Sequence, residues 1–213
     1  MSDTHLTRVD SRDGERKHAL AASRQRVFPW AEHYFDMEMD YARDKNLMVL
    51  HTGDFQDFIT EANLEQIKLQ TNVGEWITAP GNHDFSLYVG EAWEDEAYKA
   101  QSYDKVNAAF PNELTFNSRV VNGVNFVSLM NGYYYVTEYQ LERMKEEVKR
   151  GLPIVLLCHV PLYTPKHCER NLKANNNYAS YLMGTPREIT SNFRLNDRYP
   201  ADHWKQCRKQ QYS

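Results

Sequence analysis

The chain has 213 residues, is 41% apolar and 25% charged, and carries a formal net charge of −4. These values are those of a soluble globular domain, one domain or one with a long excursion, large enough for a real core. They argue against a general nucleic-acid binder, which would be basic.

No stretch approaches the ~18 apolar residues of a membrane span, and the N-terminus shows no apolar signal region. Cys158, Cys168 and Cys207 are too few and scattered for a disulfide framework or a thiolate zinc site. A cytoplasmic setting with no membrane partner is the expectation. The charge is uneven: residues 160–213 hold nine Lys/Arg against four Asp/Glu, which leaves 16 against 25 in residues 1–159. Such a cationic segment could attract phosphate groups or be an ordinary solvated face.

Taken in chain order, helices and strands alternate, which predicts an α/β layered domain. Residues 28–44 read as a helix, with Pro29 in its first turn and apolar or aromatic residues at 31, 34, 35, 39 and 42 on one face. The run Leu47–Leu50 reads as a buried strand that delivers Asp54 into the loop beyond it. A helix is expected over 61–70 and a strand over 76–79, broken by Pro80-Gly81 just before Asn82 and His83. Residues 91–110 read as mostly helical, with a loop-rich excursion over the site as the alternative. Asn122-Gly123 predicts a hairpin turn between strands 113–121 and 124–129. Thr137 and Gln140 form a capping-box pattern for a helix over 138–150, stopped by Gly151 and Pro153. Ile154–Leu157 is a further buried strand ending at His159, and beyond Pro161 periodicity fades into loop with a short helix near 202–210.

Four polar clusters fall where apolar runs give way to loops: Asp3-Thr4-His5, Gly53-Asp54-Phe55-Gln56-Asp57, Gly81-Asn82-His83-Asp84 and Cys158-His159. Singly each has an ordinary reading. Asp54 could cap the next helix, Pro-Gly-Asn is common turn chemistry, and a lone histidine at a strand end is often a core residue. Together, their oxygen and nitrogen donors suit two adjacent divalent metals better than a closed structural zinc site. Asp54 can bridge two cations, Asn82 is a neutral oxygen ligand, and His83 is then placed to act as a proton donor. Asp3 and His5, at alternate positions, could point the same way from an extended segment. His18, His33, His51, His167 and His203 lack such context and read as structural or surface residues.

The order D-x-H, G-D-x-x-D, G-N-H-D, H-V-P over residues 2 to about 165 resembles the calcineurin-like metallophosphoesterase family. The resemblance implies a sandwich of two mixed β-sheets flanked by helices, with a dinuclear metal centre of Mn, Fe or Zn at the strand ends. It implies that Asp3 and His5 bind one metal, Asp54 bridges, Asn82 and His159 bind the second, and His83 assists the leaving group while Asp57 holds its ring. The implied activity is metal-dependent hydrolysis of a phosphate mono- or diester in a small-molecule substrate. The alternatives are a non-catalytic member that binds metal or a protein partner, and a nuclease.

The family also carries a later G-H-x-H motif, which does not occur here, and only Met1 and Ser2 precede Asp3. The sequence therefore reads as a single domain truncated at both ends, loop-rich and incomplete over 162–213, which a second chain could complete. Asp3 and His5, without a strand to fix them, are expected to be mobile and to leave the first metal position weak.

Overall fold

In the computed structural model of the chain, residues 1–88, 96–133 and 136–174 are described. The expected helix near 202–210, Cys207, His203 and residues 91–95 of the expected helix over 91–110 lie outside them. Two compact units divide the chain: Met1–Tyr133 with Glu147–His159, and Tyr134–Glu146 with Val160–Ser213.

The first unit is α/β, as expected. Strands β1 (Val49–His51) and β2 (Trp76–Thr78) pair in parallel, with Leu50 opposite Ile77. Strands β3 (Phe116–Val121) and β4 (Val124–Leu129) form the expected hairpin, and β5 (Ile154–Leu157) adds to β4 in parallel, giving a mixed sheet. Asn122 and Gly123 both have positive φ, 50° and 81°, which is the backbone a type I′ turn requires. Ile77 and Ala79 of the first sheet bury against Leu157 of the second, with Met48, Leu50 and Phe126 packed around them. This core fixes the C-terminal ends of β1, β2 and β5 near one another.

Helix α1 (Glu15–Val27) is an addition to the sequence expectation. Its buried residues are Lys17 and Ala21, so it carries no apolar stripe for periodicity to find. The expected helix over 28–44 begins later, as α2 (Ala31–Asp44), and buries Phe35 and Met39. Tyr34, expected on the same face, is 58% exposed, because the residue before Phe35 points ~100° away from it on the helix. Helix α3 (Glu61–Thr71) starts at Thr60, whose hydroxyl accepts from the Asn63 N–H at 3.0 Å, and α4 spans Glu96–Asn107.

The N-terminal segment corrects a second expectation. Met1 donates from its ammonium to the Leu50 carbonyl at 2.9 Å, and Asp3, His5 and Leu6 donate to the carbonyls of Gly53, Asp54 and Phe55 at 2.9–3.0 Å. Thr52 and Asp57 donate back to Met1 and Leu6. Residues 1–6 thus run parallel to the chain leaving β1, and Asp3 and His5 are backbone-fixed rather than mobile.

Helix α5 (Glu138–Lys149), which starts in the second unit, has the expected capping box: Thr137 N–H donates to Gln140 Oε1 at 2.7 Å and Gln140 N–H to Thr137 Oγ1 at 3.3 Å. Residues expected to be loop instead form helix α6 (Pro165–Ala174). Thr164 accepts from the His167 N–H at 3.2 Å and Pro165 occupies the first helical position, a start signal that outweighs the weak periodicity.

Candidate metal centre

The site forms where the chain leaves β1 and β2. Gly53 at φ +105° and Asp54 at φ +56° turn the backbone sharply, and the loop 53–57 then lies against the loop 80–85. A single carboxylate ties them. Asp84 is buried and accepts backbone N–H groups from Asp54 (3.0 Å), Phe55 (2.9 Å), Gln56 (3.2 Å) and Gly81 (2.7 Å). Burial and the Asp54 charge push its carboxyl up to about 6, against the pull of the Gly81 and Gln56 N–H groups. Asp54 Oδ1 accepts from the His83 N–H at 2.9 Å, so the two loops are stitched in both directions. A Cβ on Gly81 would lie 2.1 Å from Asp54 Oδ1, so only glycine fits there.

Three imidazoles are held alike. His159 Nδ1–H donates to the Thr52 carbonyl at 2.9 Å, and its backbone N–H to Asn131 Oδ1 at 3.0 Å. His5 Nδ1–H donates to Asp57 Oδ1 at 2.8 Å. His83 Nδ1–H lies 3.0 Å from the Asp57 carbonyl and 3.1 Å from Asp57 Oδ1. In each neutral ring Nε2 then carries the lone pair, the tautomer in which metal-ligating histidines are usually fixed. His159 Nε2 is 3.3 Å from Asp54 Oδ2, and His5 Nε2 is 3.7 Å from Asp3 Oδ1 and 3.9 Å from Asp54 Oδ2.

Charge follows this geometry. Burial disfavours protonated His5, but its bonds to Asp3 and Asp57 and the Asp54 charge outweigh burial and raise it to about 9. His159 rises to about 9 for the same reasons, through Asp54 and the Thr52 carbonyl. Burial is likewise outweighed at Asp3, where His5, Ser2 and His159 bring the carboxyl down to about 2, and at Asp54, held below the usual range chiefly by His159. Such close imidazoles and carboxylates form a donor set that a divalent cation can occupy by displacing the imidazole protons.

Two ligand groups emerge, His5/Asp54/His83 and Asp3/Asp54/His159, each with donor atoms within 4.8 Å of one another. Asp54 belongs to both. Asp3, His5, Asp54 and His159 thus fall within these two groups. Asn82 is buried beside them at the start of the 3-10 turn His83–Phe85, its carbonyl accepting from Ser86 Oγ at 3.3 Å. The grouping differs from the expected pairing in two respects: Asp3 falls with His159 instead of His5, and His83, expected as a proton donor, falls with His5. Carboxylate and imidazole donors of this kind fit Mn, Fe or Zn.

Several residues lay outside the sequence reading. Asp84 sits inside the G-N-H-D motif, so its signal was present without a role. Arg24 of α1, with Nε 2.5 Å from Asp57 Oδ2 and Nη2 3.0 Å from Oδ1, had no motif to mark it. Asn131 and Phe28, which stacks on His5 at 4.6 Å, were equally unmarked. His51, read as structural, is buried; it accepts from the Gly53 N–H at 3.2 Å and donates to Thr4 Oγ1 at 2.9 Å.

A comparison with curated proteins gives no match. The sequence profile of the calcineurin-like phosphoesterases matches residues 1–195, which takes in every cluster of the site. Members are metal-dependent hydrolases of phosphate esters, and the ligand groups around Asp54 are of the kind that chemistry needs. By this match, and by the fold and site that accompany it, the chain belongs to the calcineurin-like phosphoesterase family.

Proposed function

We propose that the chain hydrolyses a phosphate mono- or diester at a dinuclear metal centre. The observation that carries the reading is Asp54, whose one carboxylate is common to both ligand groups. Asp3, His5, Asn82 and His159 complete the ligand set. When bound, the cations supply Lewis acidity to the phosphoryl oxygens and lower the pKa of bound water.

The chain's own groups do the rest. Asp57 holds His83 through Nδ1, which orients Nε2. Burial opposes a charge on His83, but the bond to Asp57 and the charges of Asp54 and Asp57 raise its pKa. When protonated, His83 offers its Nε2 proton to a departing alkoxide or phenoxide. Asp84 keeps the Asp54 and Gly81 backbones in place while charge shifts nearby.

The test is hydrolysis of 4-nitrophenyl phosphate and bis(4-nitrophenyl) phosphate by protein loaded with Mn2+, with chelated protein and Asp54→Ala as controls. Metal-dependent turnover of either ester, lost on chelation and in Asp54→Ala, is the expected result. Protein that binds two Mn2+ ions and hydrolyses neither ester would overturn the reading.

A further inference from the structure

Asp57 is fully buried and serves three partners at once. Its Oδ1 receives His5 Nδ1 at 2.8 Å, His83 Nδ1 at 3.1 Å and Arg24 Nη2 at 3.0 Å, while Oδ2 receives Arg24 Nε at 2.5 Å. Both histidines of one ligand group, His5 and His83, therefore hang on the plane of this carboxylate. A carboxylate turns easily about its last bond, and two imidazoles that both reach one oxygen cannot stop it. A guanidinium that meets both oxygens in a fork does stop it.

Arg24 is itself fixed. It lies seven residues after Lys17 and three after Ala21, on the buried side of α1. Its guanidinium carbon is 5.0 Å from the centroid of the Phe28 ring, which also stacks flat on His5 at 4.6 Å and 3°. Phe28 thus contacts both the guanidinium and one of the imidazoles that the guanidinium governs through Asp57.

We propose that Arg24 is a positioning residue of the metal centre: it sets the plane of the Asp57 carboxylate and so the orientation in which His5 and His83 present Nε2. The inference rests on the metal-site reading above. It is independent of turnover, because metal affinity and ring orientation are read without substrate. A plain ion pair anchoring α1 would affect stability alone. The positioning role requires the His5 and His83 rings to move when the fork is removed.

The test compares wild type with Arg24→Ala and Arg24→Lys. Mn2+ affinity is measured by calorimetry and imidazole tautomers by 15N NMR, with thermal melts to verify folding. Arg24→Ala is expected to bind Mn2+ about 10-fold or more weakly, with altered His5 and His83 signals and an unaltered His51 signal. Millimolar methylguanidinium should restore much of the affinity to Arg24→Ala. Arg24→Lys, which keeps the charge and loses the fork, should stay impaired. Variants that melt lower yet bind Mn2+ as wild type, with unmoved His5 and His83 signals, would show that Arg24 only anchors α1. Should Arg24→Ala fail to fold, the same comparison with Arg24→Lys decides the matter. A protein that meets these expectations and hydrolyses no ester would overturn the proposed function and leave this inference standing.

Discussion

Replacing Asp84 by asparagine tests the idea that one carboxylate builds the site. In the wild type its two oxygens accept four backbone N–H groups, two on Oδ1 from Phe55 and Gln56 and two on Oδ2 from Asp54 and Gly81. Asparagine keeps the shape and one accepting oxygen, so one pair of N–H groups loses its acceptor and faces an NH2 group instead. A buried donor left unsatisfied costs about 1–3 kcal/mol, which gives roughly 2–6 kcal/mol for the pair. The neutral amide recovers part of the penalty of burying a charge, so the bottom of that range, about 2–3 kcal/mol, is expected. At ~2–4 °C per kcal/mol for a chain of this size, the melting temperature should fall by about 4–12 °C. Because either pair includes a backbone N–H of the 54–56 turn that carries Asp54, Mn2+ affinity should drop about 10–100-fold as well. Thermal melts and calorimetric Mn2+ titrations of the two proteins read both quantities. An Asp84→Asn protein within 1 °C of wild type that binds Mn2+ equally well would refute the clamp.

Three further outcomes are expected. His51 is fully buried and held neutral, its pKa lowered to about 3 by burial and by the nearby N-terminal charge. The stability it contributes is thus complete above the ordinary value of 6.5 and is lost as pH falls towards 3, at up to ~1.4 kcal/mol per pH unit. Urea unfolding at pH 7 and pH 5 should show a pH-dependent loss of about 2 kcal/mol in wild type that is absent in His51→Gln; equal losses would refute it. His5 and His159, raised to about 9, favour the metal-free fold below pH 6.5, and that contribution fades as pH rises through 9. Mn2+ binding at pH 7 should therefore release protons, seen as a buffer-dependent calorimetric enthalpy; no buffer dependence would mean that these rings are not ligands. His83→Ala should lower turnover ~10²–10⁴-fold while Mn2+ content stays nearly unchanged. A loss of metal equal to that in Asp54→Ala would make His83 a ligand, in line with its grouping beside His5.

The site was legible in the sequence to the extent that its chemistry is local. Asp54, Asn82, His83 and His159 follow strand ends within a few residues, so period and punctuation sufficed to align them. The hairpin at Asn122-Gly123 and the capping box at Thr137 were legible for the same reason: each is written in two or four adjacent residues. What the sequence hid depends on long-range contacts. Arg24 meets Asp57 across 33 residues, and α1 buries a lysine and an alanine rather than an apolar stripe. The anchoring of Asp3 and His5 is done by backbone groups of residues 50–57, which no side-chain pattern records. Helix α6 was hidden differently: the Thr164-Pro165 start is explicit, but its apolar face is too sparse to carry the pattern onward.

Backbone strain in the described residues is distributed unevenly, and the distribution itself bears on function. Five non-glycine residues have positive φ: Asp3, His5, Asn46, Asp54 and Asn122. The two asparagines occupy turns, where that residue type tolerates the left-handed region well. The other three are proposed metal ligands, at φ of 58°, 48° and 56°. Asp and His enter this region more readily than most residues, but they too are held in it only where surrounding contacts over-determine the backbone. Here those contacts are identifiable. The carbonyls of Gly53 and Asp54 receive the N–H groups of Asp3 and His5, and Asp84 with the His83 N–H holds Asp54 from both its backbone and its side chain. Relaxing any of the three backbones would gain local stability and would swing its carboxylate or imidazole away from the shared point. The strain is therefore sustained by hydrogen bonds that also fix ligand direction, which is why stability and metal affinity should fall together when Asp84 is altered.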